Sequence, residues 1–139
     1  MQVTVKVTGP FFDKGSRETV EALSMAVNEV VLTGEALMTQ AAQPSPGGVF
    51  HSREYAASHG YSQTGHYSRS INGRMVDSLN GVITDSGVVY GPWLEGTSSR
   101  NSTTRFKGYA MWRKMRDKLD KLSGGILQKH VKRLIGEID

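Results

Sequence analysis

Residues Thr64 to Gly108 decide the fold: TGHYSRSI (64–71), a glycine-punctuated stretch (72–89), YGPWLEGTSSRN (90–101) and TTRFKG (103–108). Short apolar runs, Met75-Val76, Val82-Ile83 and Val88-Val89-Tyr90, alternate here with Gly, Asn, Asp and Ser, a pattern of antiparallel strands joined by tight turns. It predicts strands at 70–74, 81–84 and 87–90. Asn72-Gly73, Asn80-Gly81 and Asp85-Ser86-Gly87 fall at expected turn or bulge sites, because Gly and Asn accept positive φ cheaply. No catalytic set is legible in this region. It carries one Pro-Trp pair, a lone acid, Glu95, and a polar Ser/Thr/Asn loop.

Long helical patterns flank the stretch. Upstream, Val3, Val5 and Val7 alternate with polar residues, which predicts a half-buried strand that Gly9-Pro10 ends. Ser16 is the expected N-cap of a helix with Glu18 in its first turn. Val20, Leu23, Val27, Val30, Gly34, Leu37 and Ala41 step by three and four along one stripe of it. Gly34 on that stripe marks either a close crossing or a tolerated glycine costing about 1 kcal/mol relative to Ala. Residues 43–63, opened by Pro44-Ser45-Pro46-Gly47-Gly48, have little periodicity and suggest a long mobile arm with Phe50, Tyr55 and Tyr61 as aromatic anchors and a short helix around 53–58. Downstream a helix is expected from about Thr104, kinked or broken at Gly124-Gly125. The fold class expected is α+β: one domain over 1–139, a small, mostly antiparallel sheet between a long first helix and a kinked last one.

The composition suits a soluble globular chain: 37% hydrophobic residues and a mean hydropathy of -0.38, with no apolar run near the ~20 residues of a bilayer span. No secretory signal is expected. The absence of cysteine rules out disulfides and thiolate metal sites. Charge is unevenly placed. From Arg105 onward ten basic residues face four acidic ones, whereas the first 104 residues hold seven basic and nine acidic groups. That asymmetry suits an anionic partner or head-to-tail association of copies.

His51, His59 and His66 lack the close ligand spacing of a zinc site, and His130 is expected at a solvated helix position. There is no nucleophile elbow and no phosphate-binding loop, so neither catalysis, a metal nor a cofactor is expected. Glu95 could pair with Arg100 or Arg105 within the fold or across a subunit boundary. Arg113, Lys114, Arg116, Lys118 and Lys121, with Lys129, Lys132 and Arg133, could neutralise phosphates, although Asp117 and Asp120 interrupt the row and no helix-turn-helix spacing is legible.

The succession Thr64-Gly65-x-Tyr67-x-x-Ser70-Ile71, a strand pair, then Tyr90-Gly91-Pro92-Trp93-Leu94-Glu95-Gly96-Thr97 resembles the tail-completion, or neck, proteins of tailed bacteriophages. Ser99-Arg100-Asn101 and Thr104 to Tyr109 look similar to the variant in phages of actinobacteria. Tyr67 stands where the family pattern has leucine, one residue between Glu95 and Gly96 is missing, and the arm is longer. The resemblance implies a virion structural protein, made in the host cytoplasm, that forms a ring, hexameric by expectation, at the head–tail junction. Its implied partners are a portal-side connector or adaptor, tail terminator or tail-tube proteins, and the genomic double-stranded DNA in the channel; no membrane is involved. A tail terminator, a head-closure adaptor and, from another class, a basic DNA-binding module are the alternatives. Glu95, Trp93, Arg100, Arg105, Phe50, Tyr55 and Tyr61 are the expected interface residues, and Glu95→Lys is expected to leave a folded protein that cannot support particle maturation.

Overall fold

The computed structural model describes residues 1–7, 16–44, 48, 50–60 and 64–138, with side chains to residue 136. The expected strand stop at Gly9-Pro10, much of the proline-glycine break and Tyr61 lie outside the described residues. The chain is α+β, as its patterning implies. Strand β1 (Gln2–Lys6) is followed by helix α1 (Arg17–Ala41) and two short helices, α2 (Arg53–Ser58) and α3 (His66–Ser70). A hairpin of β2 (Asn72–Asp77) and β3 (Asn80–Thr84) comes next, then short helices α4 (Gly91–Glu95) and α5 (Arg100–Thr103), and finally α6 (Met111–Ile138).

The sheet has the order β1-β3-β2 and is antiparallel throughout, so β1, far away in sequence, supplies the third strand. Residues 87–90, expected as a strand, instead leave the sheet. Ser86 and Gly87 turn the chain at positive φ (63° and 71°), and Pro92 then opens α4 at a position where its missing N–H costs nothing.

Register places Val3, Ile83 and Gly73 in one row and Val5, Gly81 and Met75 in the next. These rows face α1. Gly73 and Gly81 therefore lie within strands rather than at turns. A Cβ on Gly73 would stand 3.0 Å from Val31 Cγ1, and one on Gly81 would overlap Val31 outright. The hairpin turn is set by Asp77, whose carboxylate accepts from the Leu79 N–H (2.9 Å) and the Asn80 amide (2.8 Å). Those bonds, the Leu79 one foremost, hold the Asp77 carboxyl below the usual range.

Ser16 caps α1, its Oγ accepting from the Thr19 N–H at 3.2 Å. Leu23, Val27, Val30 and Gly34 of the predicted stripe are buried and Val20, Leu37 and Ala41 half-buried, while Val31 and Met38, buried beside it, widen the stripe beyond the spacing read from the sequence. Gly34 is a close-crossing glycine: its Cβ would overlap Ile83 and stand 2.7 Å from Leu119 Cδ1 of α6. Pairing of Gly34 with Leu119, and of Glu29 with Lys129 and His130, shows that α1 and α6 run antiparallel.

Two expectations for the last helix are corrected. It begins at Met111, not near Thr104, because Gly108 and Ala110 hold positive φ (99° and 54°) and turn the chain first. It also runs unbroken through Gly124-Gly125. Packing of its buried and half-buried residues, from Met115 and Leu119 to Ile126, outweighs the ~1 kcal/mol that each glycine costs a helix.

Candidate functional site

The residues that carry the family-like pattern converge on the start of α6. Tyr67, on α3, is buried; its hydroxyl donates to Asp85 Oδ2 (3.0 Å) and accepts from Trp112 Nε1 (2.9 Å). Asp85, at the end of β3, is fully buried, and its other oxygen accepts from the Met1 ammonium (3.0 Å) and the Gly87 N–H (3.1 Å). Burial first, then the Asp85 charge, pushes the Tyr67 phenol well above its ordinary range, so it remains a neutral donor. Gly91 fits beside this cluster because a Cβ there would overlap Asp85 Oδ2.

Glu95 is 7% exposed. Its carboxylate accepts from the backbone N–H groups of Trp112 (2.8 Å) and Arg113 (3.1 Å). Ala110, preceding the helix, has no side chain able to cap it, so Glu95 satisfies the first-turn donors from a distant element and places negative charge on the positive end of the helix dipole. The expected pairing of Glu95 with Arg100 or Arg105 within the fold is therefore corrected. Arg100 instead lies over the Trp93 ring, 5.5 Å from its centroid, and Arg105 is exposed. With this geometry Glu95→Lys brings a cation to the positive end of the α6 dipole, a stability cost that the expectation of a folded variant leaves out of account.

The polar loop after α4 is a built structure. Asn101, 4% exposed, donates to the Trp93 carbonyl (3.0 Å), and its Oδ1 accepts from the Ser98 N–H (3.0 Å). Trp93 meets Phe106 edge-on with centroids 4.3 Å apart, and Phe106 in turn meets Tyr109. Phe50 is fixed by edge contacts to Tyr67 (6.3 Å) and Tyr109 (5.3 Å), so this part of the expected arm is packed on the core. Tyr55, on α2, is 40% exposed and stacks between His51 and His59 at 3.9 Å on each side.

Asp85, Asn101 and the Trp112 indole were not singled out from the sequence. The available signal was a single acid ending the apolar run Val82-Ile83-Thr84, a position where a charge is buried only if it is paired. His130 is likewise corrected: it is 8% exposed, with Nε2 2.5 Å from Glu29 Oε2, while Lys129 Nζ lies 2.5 Å from Oε1. Those two bonds, the Lys129 one first, hold the Glu29 carboxyl below its ordinary value.

The expected basic residues do reach the surface. Arg113, Lys114, Arg116, Lys118 and Lys121 are exposed on α6, as are Lys132 and Arg133, and none of them forms an ion pair among the described residues. At 100° per residue, Lys114, Lys118, Lys121 and Lys132 fall within an arc of about 60°, a stripe roughly 27 Å long. Arg113 and Arg116 lie off that stripe and line an open cleft of about 570 Å³ with Gln2, Thr97 and Lys107. Among the described residues, no three side chains are grouped to hold a metal ion, and no helix is long and apolar enough to cross a membrane. No known protein family, curated protein or solved structure matches the chain.

Proposed function

We propose that this chain is a virion structural protein that assembles into a ring at the head–tail junction of a tailed phage, between the portal-side connector and the tail. One observation carries the reading. The two segments that resemble the neck proteins, 64–71 and 90–97, lie on either side of the β2–β3 hairpin and meet at a single residue: Trp112 gives its indole N–H to Tyr67 and its backbone N–H to Glu95. Order and spacing in the sequence thus correspond to one spatial unit. Strands β1 and β2, the two edges of the sheet among the described residues, and a cationic α6 offer surfaces for neighbouring copies and for the junction's other proteins.

Negative-stain imaging of the purified protein, and antibody labelling of virions, tests the proposal. Rings and label at the neck are expected; virions lacking the protein overturn it. The lysine stripe favours a second reading, a DNA-binding module. Its test is affinity for a short duplex across a salt series, where tight and steeply salt-dependent binding by the monomer supports the module over the ring.

A further inference from the structure

The face of α1 turned away from the sheet is unusually apolar for an exposed surface. Met25 is 57% exposed and Leu32 52%, and with Ala36 they share about 40° of the helix. They rim a groove of about 540 Å³ along the α1–α6 seam. A second groove, of about 320 Å³, shares Leu37 and Gln40 with it and is edged by Lys114 and Lys118 of α6. The surface is therefore graded, apolar in the middle of α1 and cationic beyond its C-terminal half. In its first turn stands Glu18, exposed, whereas Glu21 is already held by Arg17 at 3.1 Å.

We propose that this face binds the same face of a second copy about a two-fold axis, with the two α1 helices antiparallel. An axis crossing α1 between Asn28 and Glu29 sets Met25 of each copy opposite Leu32 of the other. Glu18, about 16 Å along the helix from that axis at 1.5 Å per residue, then reaches the level of residue 39 in the second copy. There Lys114 and Lys118 edge the groove beside Gln40. One operation thus covers both exposed apolar side chains and sets each Glu18 against two lysines that form no ion pair among the described residues. The self-complementary spacing, with the carboxylate and the lysines at matching distances on either side of the axis, is the signature of an isologous contact. Lys114 and Lys118 also stand one helical turn apart as like charges, a repulsion the incoming carboxylate offsets. The contact is distinct from the heterologous one that closes a ring, so the pair and the ring fail independently.

Sedimentation equilibrium over a protein concentration series at low and high salt reads the contact. The wild-type chain is expected to dimerise reversibly, more tightly at low salt. Leu32→Glu should weaken the dimer by at least tenfold and Glu18→Lys by several-fold, with Lys118→Glu added to Glu18→Lys restoring it; circular dichroism checks that each variant is folded. The chain has no cysteine, so Asn28→Cys beside the axis should give one cross-linked species of two chains with a short thiol-reactive bis-maleimide, since helices packed about 8–10 Å apart hold that pair within the linker's span. A monomer at all concentrations, failure of the Asn28→Cys variant to cross-link, or an oligomer indifferent to Leu32→Glu overturns the proposal, whatever virion imaging shows.

Discussion

Removing the Glu95 carboxylate tests the central feature of this fold, the capping of a 28-residue helix by an acid from another element. Hydrogen bonds to a charged group contribute roughly 1.5–3 kcal/mol each, and those from Trp112 and Arg113 share one desolvated carboxylate, so their sum is less than additive. Glu95→Ala also leaves two donors unpaired at a buried helix end. A loss of about 3 kcal/mol follows, or on the order of 10 °C in Tm for a chain of this size. Glu95→Gln keeps an acceptor but gives up the charge–dipole interaction and should lose about 1–1.5 kcal/mol. Glu95→Lys puts a cation on the positive end of the dipole and should lose about 4 kcal/mol or more by the same reasoning, a large part of a typical total stability of about 5–15 kcal/mol. Urea unfolding followed by far-UV circular dichroism at neutral pH gives the ranking. An alanine variant within ~0.5 kcal/mol of wild type, a difference usual for surface sites, would refute the capping argument.

Three further perturbations probe other parts of the molecule. Gly108→Ala should cost more than ~3 kcal/mol, because its φ is 99° and its Cβ would overlap the Gly96 backbone; normal thermal unfolding of this variant counts against the crossing of residues 96 and 108. Gly124→Ala combined with Gly125→Ala should stabilise the protein by about 1–2 kcal/mol, since no atom beyond the adjoining helix backbone lies within 4 Å of either ideal Cβ and the helix is continuous there. Destabilisation in the same urea assay would instead mark a break at the two glycines. Glu29 has its folded pKa depressed by Lys129 and His130, so it adds stability above its ordinary value near 4.5 and loses it as pH falls through the folded pKa. Glu29→Gln should flatten that acid limb of the stability profile, and an unchanged limb would mean the pairing contributes nothing in solution.

The α+β class, α1 and its buried stripe were legible because period-two and period-3.6 patterns state directly which side of an element meets the core. Glycines were harder to assign. Gly73 and Gly81 carry the composition of turns, yet each is required by the approach of Val31 from a helix far earlier in the chain. No local pattern encodes that distance. The same holds for α6, whose continuity depends on α1 alongside it rather than on its own propensity, and for Glu95, whose partners are the orphan N–H groups of a helix that starts only at Met111. Val88-Val89-Tyr90 has strong strand propensity, but the buried Asp85 fixes the turn before it and leaves Val89 95% exposed.

These differences bear on where partner contacts are to be sought. The 90–101 segment is expected to be offered to another molecule, but Glu95 and Asn101 point inward, as does Tyr67 of 64–71, and spend their polar atoms on Asp85, Trp112, Arg113 and the Trp93 carbonyl. Each of these residues is fixed by the geometry of the hairpin and the α6 start, so its polar atoms are already engaged within the chain. Partner choice must reside in side chains the scaffold leaves free: the lysine stripe of α6, the Met25–Leu32 face of α1, and Val76 and Val89 at the surface. Substitutions there separate binding from folding, whereas substitutions at Glu95 or Tyr67 do not, since loss of the cap or of the Asp85 cluster lowers stability together with any effect on a partner.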